Sequence, residues 1–166
     1  MITLRKAKED DVELIRAIAA ETWPSTYLDI IGQQQIDYML EKMYNKGELL
    51  KQLMDGHTFL IAEAGSNELG FAGYSIIDHD ARIYKLHKLY VLPSAHGKGV
   101  GKILINEVFN QIKDAGGSAL ELNVNKHNKA REFYLKGGFT IKESVKIDIG
   151  GGFIMDDYVM EYKFQN

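Results

Sequence analysis

The sequence predicts a single mixed α/β (α+β) domain, a central sheet flanked by helices, on three observations. After a short alternating segment at the start, helical periodicity runs to about residue 56, and the two-residue alternation of strands replaces it from His57. Strands and helices then take turns, each helix closing on a pair of glycines. The 166 residues contain two prolines, Pro24 and Pro93, and no low-complexity linker or repeat, so 1–166 reads as one domain with a sizeable core.

Ile2 to Lys6 alternates apolar and polar residues and predicts a strand. Asp10 and Asp11 can cap a helix whose apolar stripe is Val12, Leu14, Ile15, Ile18 and Ala19, with Pro24 as its punctuation. A second helix is expected over Gln33 to Tyr44, and a short third over Glu48 to Met54, stopped near Gly56. His57 to Ala64 and Leu69 to Ile77 read as a hairpin around Gly65 to Glu68, with a further strand at Arg82 to Leu92. A helix from Gly99 to Ala115 precedes a strand at Ser118 to Val124. Another helix, Asn128 to Lys136, precedes two strands, Phe139 to Ile147 and Phe153 to Phe164, joined through Gly150, Gly151 and Gly152.

Composition narrows the function classes. With 45% hydrophobic and 26% charged residues the chain is an ordinary globular one, and its formal charge of −3 gives no general case for nucleic acid or anionic membrane. The absence of cysteine excludes disulfides, thiolate metal sites and a cysteine nucleophile. No apolar run approaches the roughly 20 residues that span a bilayer, and Met1 to Asp11 is too charged for a signal peptide, so a cytoplasmic protein is the default expectation. His57, His79 and His127 show no ligand spacing, and no metal is expected.

The chemistry concentrates between Leu89 and Lys102, LYVLPSAHGKGVGK. A strand runs into a turn with glycines at 97, 99 and 101, and the turn feeds a helix. Such glycines let backbone N–H groups approach a ligand, and the helix N-terminus adds unpaired donors and partial positive charge. Together they suit a pyrophosphate, to which Lys98 and Lys102 could add charge. A phosphate loop of the Walker type is excluded, because His96 stands where its first glycine belongs and Ile103 follows Lys102. The dinucleotide fingerprint fails on glycine spacing. A purely structural glycine-rich turn remains open from this stretch alone.

The segment His96 to Gly101 resembles the acetyl-CoA pyrophosphate loop of the GNAT superfamily of N-acetyltransferases, Gln/Arg-x-x-Gly-x-Gly/Ala, with His96 departing from the usual Gln or Arg. A second, independent resemblance lies downstream: NKAREFYLKGGF, Asn128 to Phe139, is similar to the family's Asn-x-x-Ala-x-x-Phe/Leu-Tyr-x-Lys/Arg-x-Gly-Phe. By itself that helix is equally a capped amphipathic one with a buried tyrosine. Both motifs occur in the family's order and at its distance, and the likeness extends from about His57 to Phe164.

The resemblance implies a mostly antiparallel sheet whose central strands splay apart, with acetyl-CoA lying between them. It implies that the backbone of Gly97, Lys98, Gly99, Val100, Gly101 and Lys102 holds the pyrophosphate, and that His96 stands at the one altered contact. Val91 would meet the pantetheine arm and the N–H of Leu89 the thioester oxygen, an oxyanion-hole donor. Asn128 would contact the arm as well, and Tyr134 would protonate the leaving thiolate. The family transfers the acetyl group directly to an amine.

An ammonium must lose its proton before attack. On the strand before the loop, Lys85 and His87 occupy the inner-face positions, and His87 is the first candidate for proton acceptor because imidazole titrates near neutrality. Glu21 and Asp78 are weaker candidates, and an exposed surface histidine is the plain alternative. Trp23, Ser25, Thr26 and Tyr27 are expected to wall the acceptor pocket. Asp29, Asp78, Asp80, Asp156 and Asp157 are carboxylates that could hold a distal ammonium or simply face water, with Asp156 and Asp157 the first choices. Glu21-Thr22-Trp23 and the late Gly-Gly-Phe-Ile-Met-Asp-Asp run resemble bacterial polyamine acetyltransferases of the spermidine/spermine type. A small-molecule amine is the expected partner, and a homodimer is compatible. A non-catalytic acyl-CoA-binding protein, or an enzyme for protein or aminoglycoside amines, stands as the alternative.

Overall fold

The computed structural model describes residues 1–165. Seven strands, β1 (Ile2–Lys6), β2 (Thr58–Ala64), β3 (Asn67–Asp78), β4 (Ile83–Val91), β5 (Ala119–Asn125), β6 (Thr140–Gly150) and β7 (Phe153–Lys163), form one sheet in the order β1-β2-β3-β4-β5-β7-β6. Four helices flank it: α1 (Val12–Met43), α2 (Lys46–Met54), α3 (Val100–Asp114) and α4 (Ala130–Lys136). Every pairing is antiparallel except β4 with β5.

The sheet separates two cores. On one face, Leu104, Val108 and Ile112 of α3 pack against Leu60, Leu86 and Leu120. On the other, Ile15, Ile18 and Ile36 of α1 and Leu49 of α2 pack against Phe59 and Phe71. The central strands β2 and β3 thereby bury both sides along continuous apolar runs, whereas the edge strand β6 is mostly exposed. No helix among the described residues is long and apolar enough to cross a membrane.

The first expected helix boundary is corrected. The helix does not stop at Pro24, which lies inside α1; the break comes at Gly32, with φ 79° and ψ 165°. A proline costs a helix one bond at the carbonyl four residues earlier. That one lost bond is outweighed by burial of Ile15, Ile18, Trp23 and Ile36 on both sides of it. Gly32, by contrast, adopts a backbone conformation that side chains resist.

Smaller shifts have local causes. α2 starts at Lys46 because Asn45 Oδ1 accepts the Glu48 N–H at 2.8 Å. Ala64 pairs with Asn67, so the hairpin turns on Gly65 and Ser66 alone. α4 begins at Ala130, and Asn128 Oδ1 accepts the Ala130 N–H at 2.9 Å from just outside the helix.

Two irregularities of β4 shape everything that follows. Parallel pairing with β5 runs only from Ile83↔Ala119 to Leu86↔Leu122, after which the strands part. A bulge also falls at His87, since Gly73 pairs with Lys88 but the next residue, Tyr74, pairs with Leu86. One extra residue reverses the alternation of side chains. Leu86, Leu89 and Val91 accordingly belong to the α3 side, whereas Lys88 and Tyr90 join Lys85 and His87 toward α1 and α2.

Candidate active site

The parted strands open a cleft of about 630 Å³ between β4 and α4, bounded by Leu89, Val91, Gly101, Asn128, Phe133 and Tyr134. Leu92 N–H donates to the Leu69 carbonyl on β3 at 2.8 Å. Backbone polarity alternates along a strand, so the N–H groups of Leu89 and Val91 point away from β3 and into the gap.

At the end of this cleft lies the glycine turn. Gly97 and Gly99 have φ of 81° and 78°, and a Cβ at either would meet nothing within 4 Å. The backbone there is left-handed and faces open space. The first bond of α3 joins the Ile103 N–H to the Gly99 carbonyl at 3.0 Å, so the N–H groups of Val100, Gly101 and Lys102 precede the helical ladder. Lys98 and Lys102 are exposed beside them. An open cradle of unpaired N–H groups at a helix N-terminus suits a pyrophosphate. Gly101 differs: a Cβ there would make ordinary contacts of 3.7 and 3.8 Å with Phe133 and Val91.

His96 has a use of its own. Its Nε2 donates to the Val91 carbonyl at 2.9 Å, tying the loop back to the end of β4. The substitution of the family's Gln or Arg thus leaves a brace between loop and strand.

Tyr134 is 8% exposed, and burial raises its pKa well above that of a free phenol, so it stays protonated. Tyr27 and Tyr90 are held protonated by burial too. The Tyr27 and Tyr90 hydroxyls lie 3.2 Å apart, and Asn128 Nδ2 donates to Tyr27 Oη at 3.4 Å. Tyr90 borders both this cleft and a second one, so the two cavities meet at its ring.

The second cavity, about 620 Å³, lies on the α1 and α2 side. Trp23, Tyr27, Tyr44 and Tyr90 form one wall, with Trp23 and Tyr27 rings 4.7 Å apart. Ser25, Thr26 and Asp29 face the first cleft instead. Asp157 enters the wall from β7 and is 3% exposed; burial raises its pKa.

Its neighbour Asp156 is a correction. It points away, pairs with Lys126 Nζ at 2.8 Å and lies outside the cavity wall, because adjacent strand residues face opposite sides. Asp78 and Asp80 are exposed in the β3–β4 turn, where Asp78 Oδ1 accepts the Ala81 N–H, and Glu21 is exposed on α1. None of these three lines either cleft.

His87 does line the second cavity, with Nε2 2.7 Å from Ser75 Oγ. The expectation of near-neutral titration is overturned. Burial first, then His57, Lys88 and Lys85, push its pKa down to about 3. Lys88, which strict alternation placed on the opposite face, is the residue sequence reasoning missed; the bulge brings it into the same cavity. Burial lowers its pKa to about 8.

Comparison with known proteins identifies the family. Residues 27–155 match the acetyltransferase (GNAT) domain. The chain is 30% identical over 171 residues to a spermidine N(1)-acetyltransferase of Thermoplasma acidophilum, covering 99% of both. It is 30% identical to an uncharacterized N-acetyltransferase of Mycobacterium bovis, over 90% of this chain and 96% of that one. Its fold superimposes on the PaiA N-acetyltransferase of Thermoplasma acidophilum, solved in complex with coenzyme A, with TM-score 0.84 and 29% identity over 99% of each chain. The chain belongs to the acetyltransferase (GNAT) domain family and is an acyltransferase that draws its acetyl group from acetyl-CoA.

Proposed function

We propose that the protein acetylates a primary amino group of a small amine of the polyamine type, such as spermidine. The observation that carries this reading is Asp157, a buried carboxylate in the wall of an aromatic cavity that joins the donor cleft at Tyr90. Aromatic faces attract alkylammonium groups, and a buried carboxylate needs a cation. The name of the Thermoplasma relative supports the same class.

Bound acetyl-CoA supplies the acetyl thioester. On this reading the N–H groups of Gly97 to Lys102 hold its phosphates, and Val91 and Asn128 flank its arm. The Leu89 N–H stabilises negative charge developing on the reacting oxygen. Tyr134, kept protonated by burial, donates its proton to the departing sulfur. Trp23 and Tyr27 hold the alkyl chain of the amine. His87 lines the site as a neutral imidazole, so loss of the amine's proton follows the amine's own pKa, near 10.

The test is CoA release across an amine panel. Diamines and spermidine should be turned over better than monoamines of equal length. Preference for monoamines or aminoglycosides would refute the polyamine class and leave the acetyltransferase standing.

A further inference from the structure

The acceptor cavity already holds a cation of its own. Lys88 is 8% exposed, and its Nζ donates to Gln52 Oε1 at 2.8 Å. The same Nζ lies 5.4 Å from the Tyr44 ring centroid and 5.5 Å from that of Phe59. Tyr44 in turn packs edge-on against Trp23, at 5.8 Å. The lysine ammonium therefore sits where an aromatic wall would otherwise receive a ligand cation.

No carboxylate among the described residues comes within ion-pair distance of Lys88. Glu48 is reached only through an amide: Gln52 Nε2 donates to Glu48 Oε1 at 3.1 Å. The other groups facing this end do not neutralise it. His57 and His87 are driven neutral, Lys85 adds positive charge from β4, and Lys42 turns from α1 to the Ile149 carbonyl. Asp157, on β7, is the carboxylate left for the acceptor.

We propose that Lys88 is a charge selector: its ammonium fills the inner aromatic seat of the acceptor cavity and restricts acceptors to short diamines over longer polycations. This rests on the polyamine reading and narrows it. One ammonium beyond the reacting amine finds Asp157. Each further ammonium meets a fixed positive charge in a poorly solvated space, where repulsion is strong.

The lowered pKa of Lys88, about 8, makes the selector weaken in mild alkali. A raised pH removes that proton and with it the repulsion of a further ammonium. An arginine at the same place would stay charged throughout.

The experiment compares kcat/KM for 1,4-diaminobutane, spermidine and spermine in the wild type, Lys88→Met and Lys88→Arg. At pH 7 the wild type should favour the diamine over spermine by about ten-fold or more. Lys88→Met should bring that ratio close to unity, and Lys88→Arg should keep it. Between pH 7 and 9 the ratio should fall more in the wild type than in Lys88→Arg, an arm that stands even if the Met variant fails to fold.

Equal ratios in the wild type and a folded Lys88→Met variant would overturn the selector alone. A wild type that prefers 4-aminobutanoate to the diamine, and loses the preference in Lys88→Met, would make Lys88 an anion seat and overturn it too. Failure to acetylate all three amines while another amine is turned over would overturn the polyamine reading together with the selector.

Discussion

The imidazole of His87 stacks on that of His57, with ring centroids 4.6 Å apart and planes 17° apart. Two rings so close, beside Lys88, cannot readily both carry charge. The pKa of His87 falls to about 3 in the fold against 6.5 unperturbed. An unfolded chain therefore binds a proton between these values that the folded one refuses, and stability is lost as pH falls through 6.5 toward 3. The melting temperature of the wild type should drop relative to that of His87→Gln on going from pH 7 to pH 4. The same substitution should leave kcat/KM without a missing limb between pH 6 and 8. A limb that vanishes in His87→Gln would restore the histidine as the titrating base.

Tyr134→Phe should reduce kcat by about 100-fold or more, the usual worth of a positioned proton donor. The ring is buried and edge-on to Phe133 and Phe139, at 5.3 and 5.5 Å, so the phenyl ring should pack as before. Calorimetry should find acetyl-CoA affinity nearly unchanged. A kcat within a factor of about two of wild type would reduce Tyr134 to a packing residue.

The glycines of the cradle should separate by conformation. Gly99 is left-handed, so Gly99→Ala should cost about 1–2 kcal/mol of backbone strain, and Gly99→Asp should also weaken acetyl-CoA by about ten-fold or more by placing a carboxylate at the phosphates. Gly101→Ala should be tolerated, because its backbone is ordinary and its neighbours lie at contact distance. Titration calorimetry and thermal melts of the three variants check this; equal loss in all three would contradict it.

The two adjacent aspartates should behave differently. Asp157→Asn removes the carboxylate of the acceptor cavity and should raise KM for a diamine by about ten-fold or more, as loss of a buried charge partner does. Asp156→Asn breaks a partly exposed, solvent-screened pair with Lys126 outside the cavity and should change KM by no more than a few-fold. Steady-state kinetics with a diamine and a monoamine of equal length separate the two, since the Asp157 effect should be confined to the diamine.

The features legible in the amino-acid order are those that depend on near neighbours in the chain. A left-handed turn needs glycine at 97 and 99, a helix start supplies N–H groups at 100 to 102, and Tyr134 follows its cap by a fixed helical count. Trp23 and Tyr27 are one turn apart, and so share a wall. The tertiary structure alone decided the rest. Pro24 gave a false boundary because Ile15, Ile18, Trp23 and Ile36 are buried on both sides of it against the sheet, a tertiary gain that periodicity does not register. The pairing of β4 with β3 introduced the bulge at His87, which carried Lys88 onto the acceptor side. Pairing of β7 with β5 set which of Asp156 and Asp157 faces inward. The His87 pKa depends on burial and on His57, which lies 30 residues earlier in the chain. Register and desolvation arise between strands distant in sequence, and for that reason they decided which side chains line the second cavity, while local pattern decided the glycine turn and the helix start.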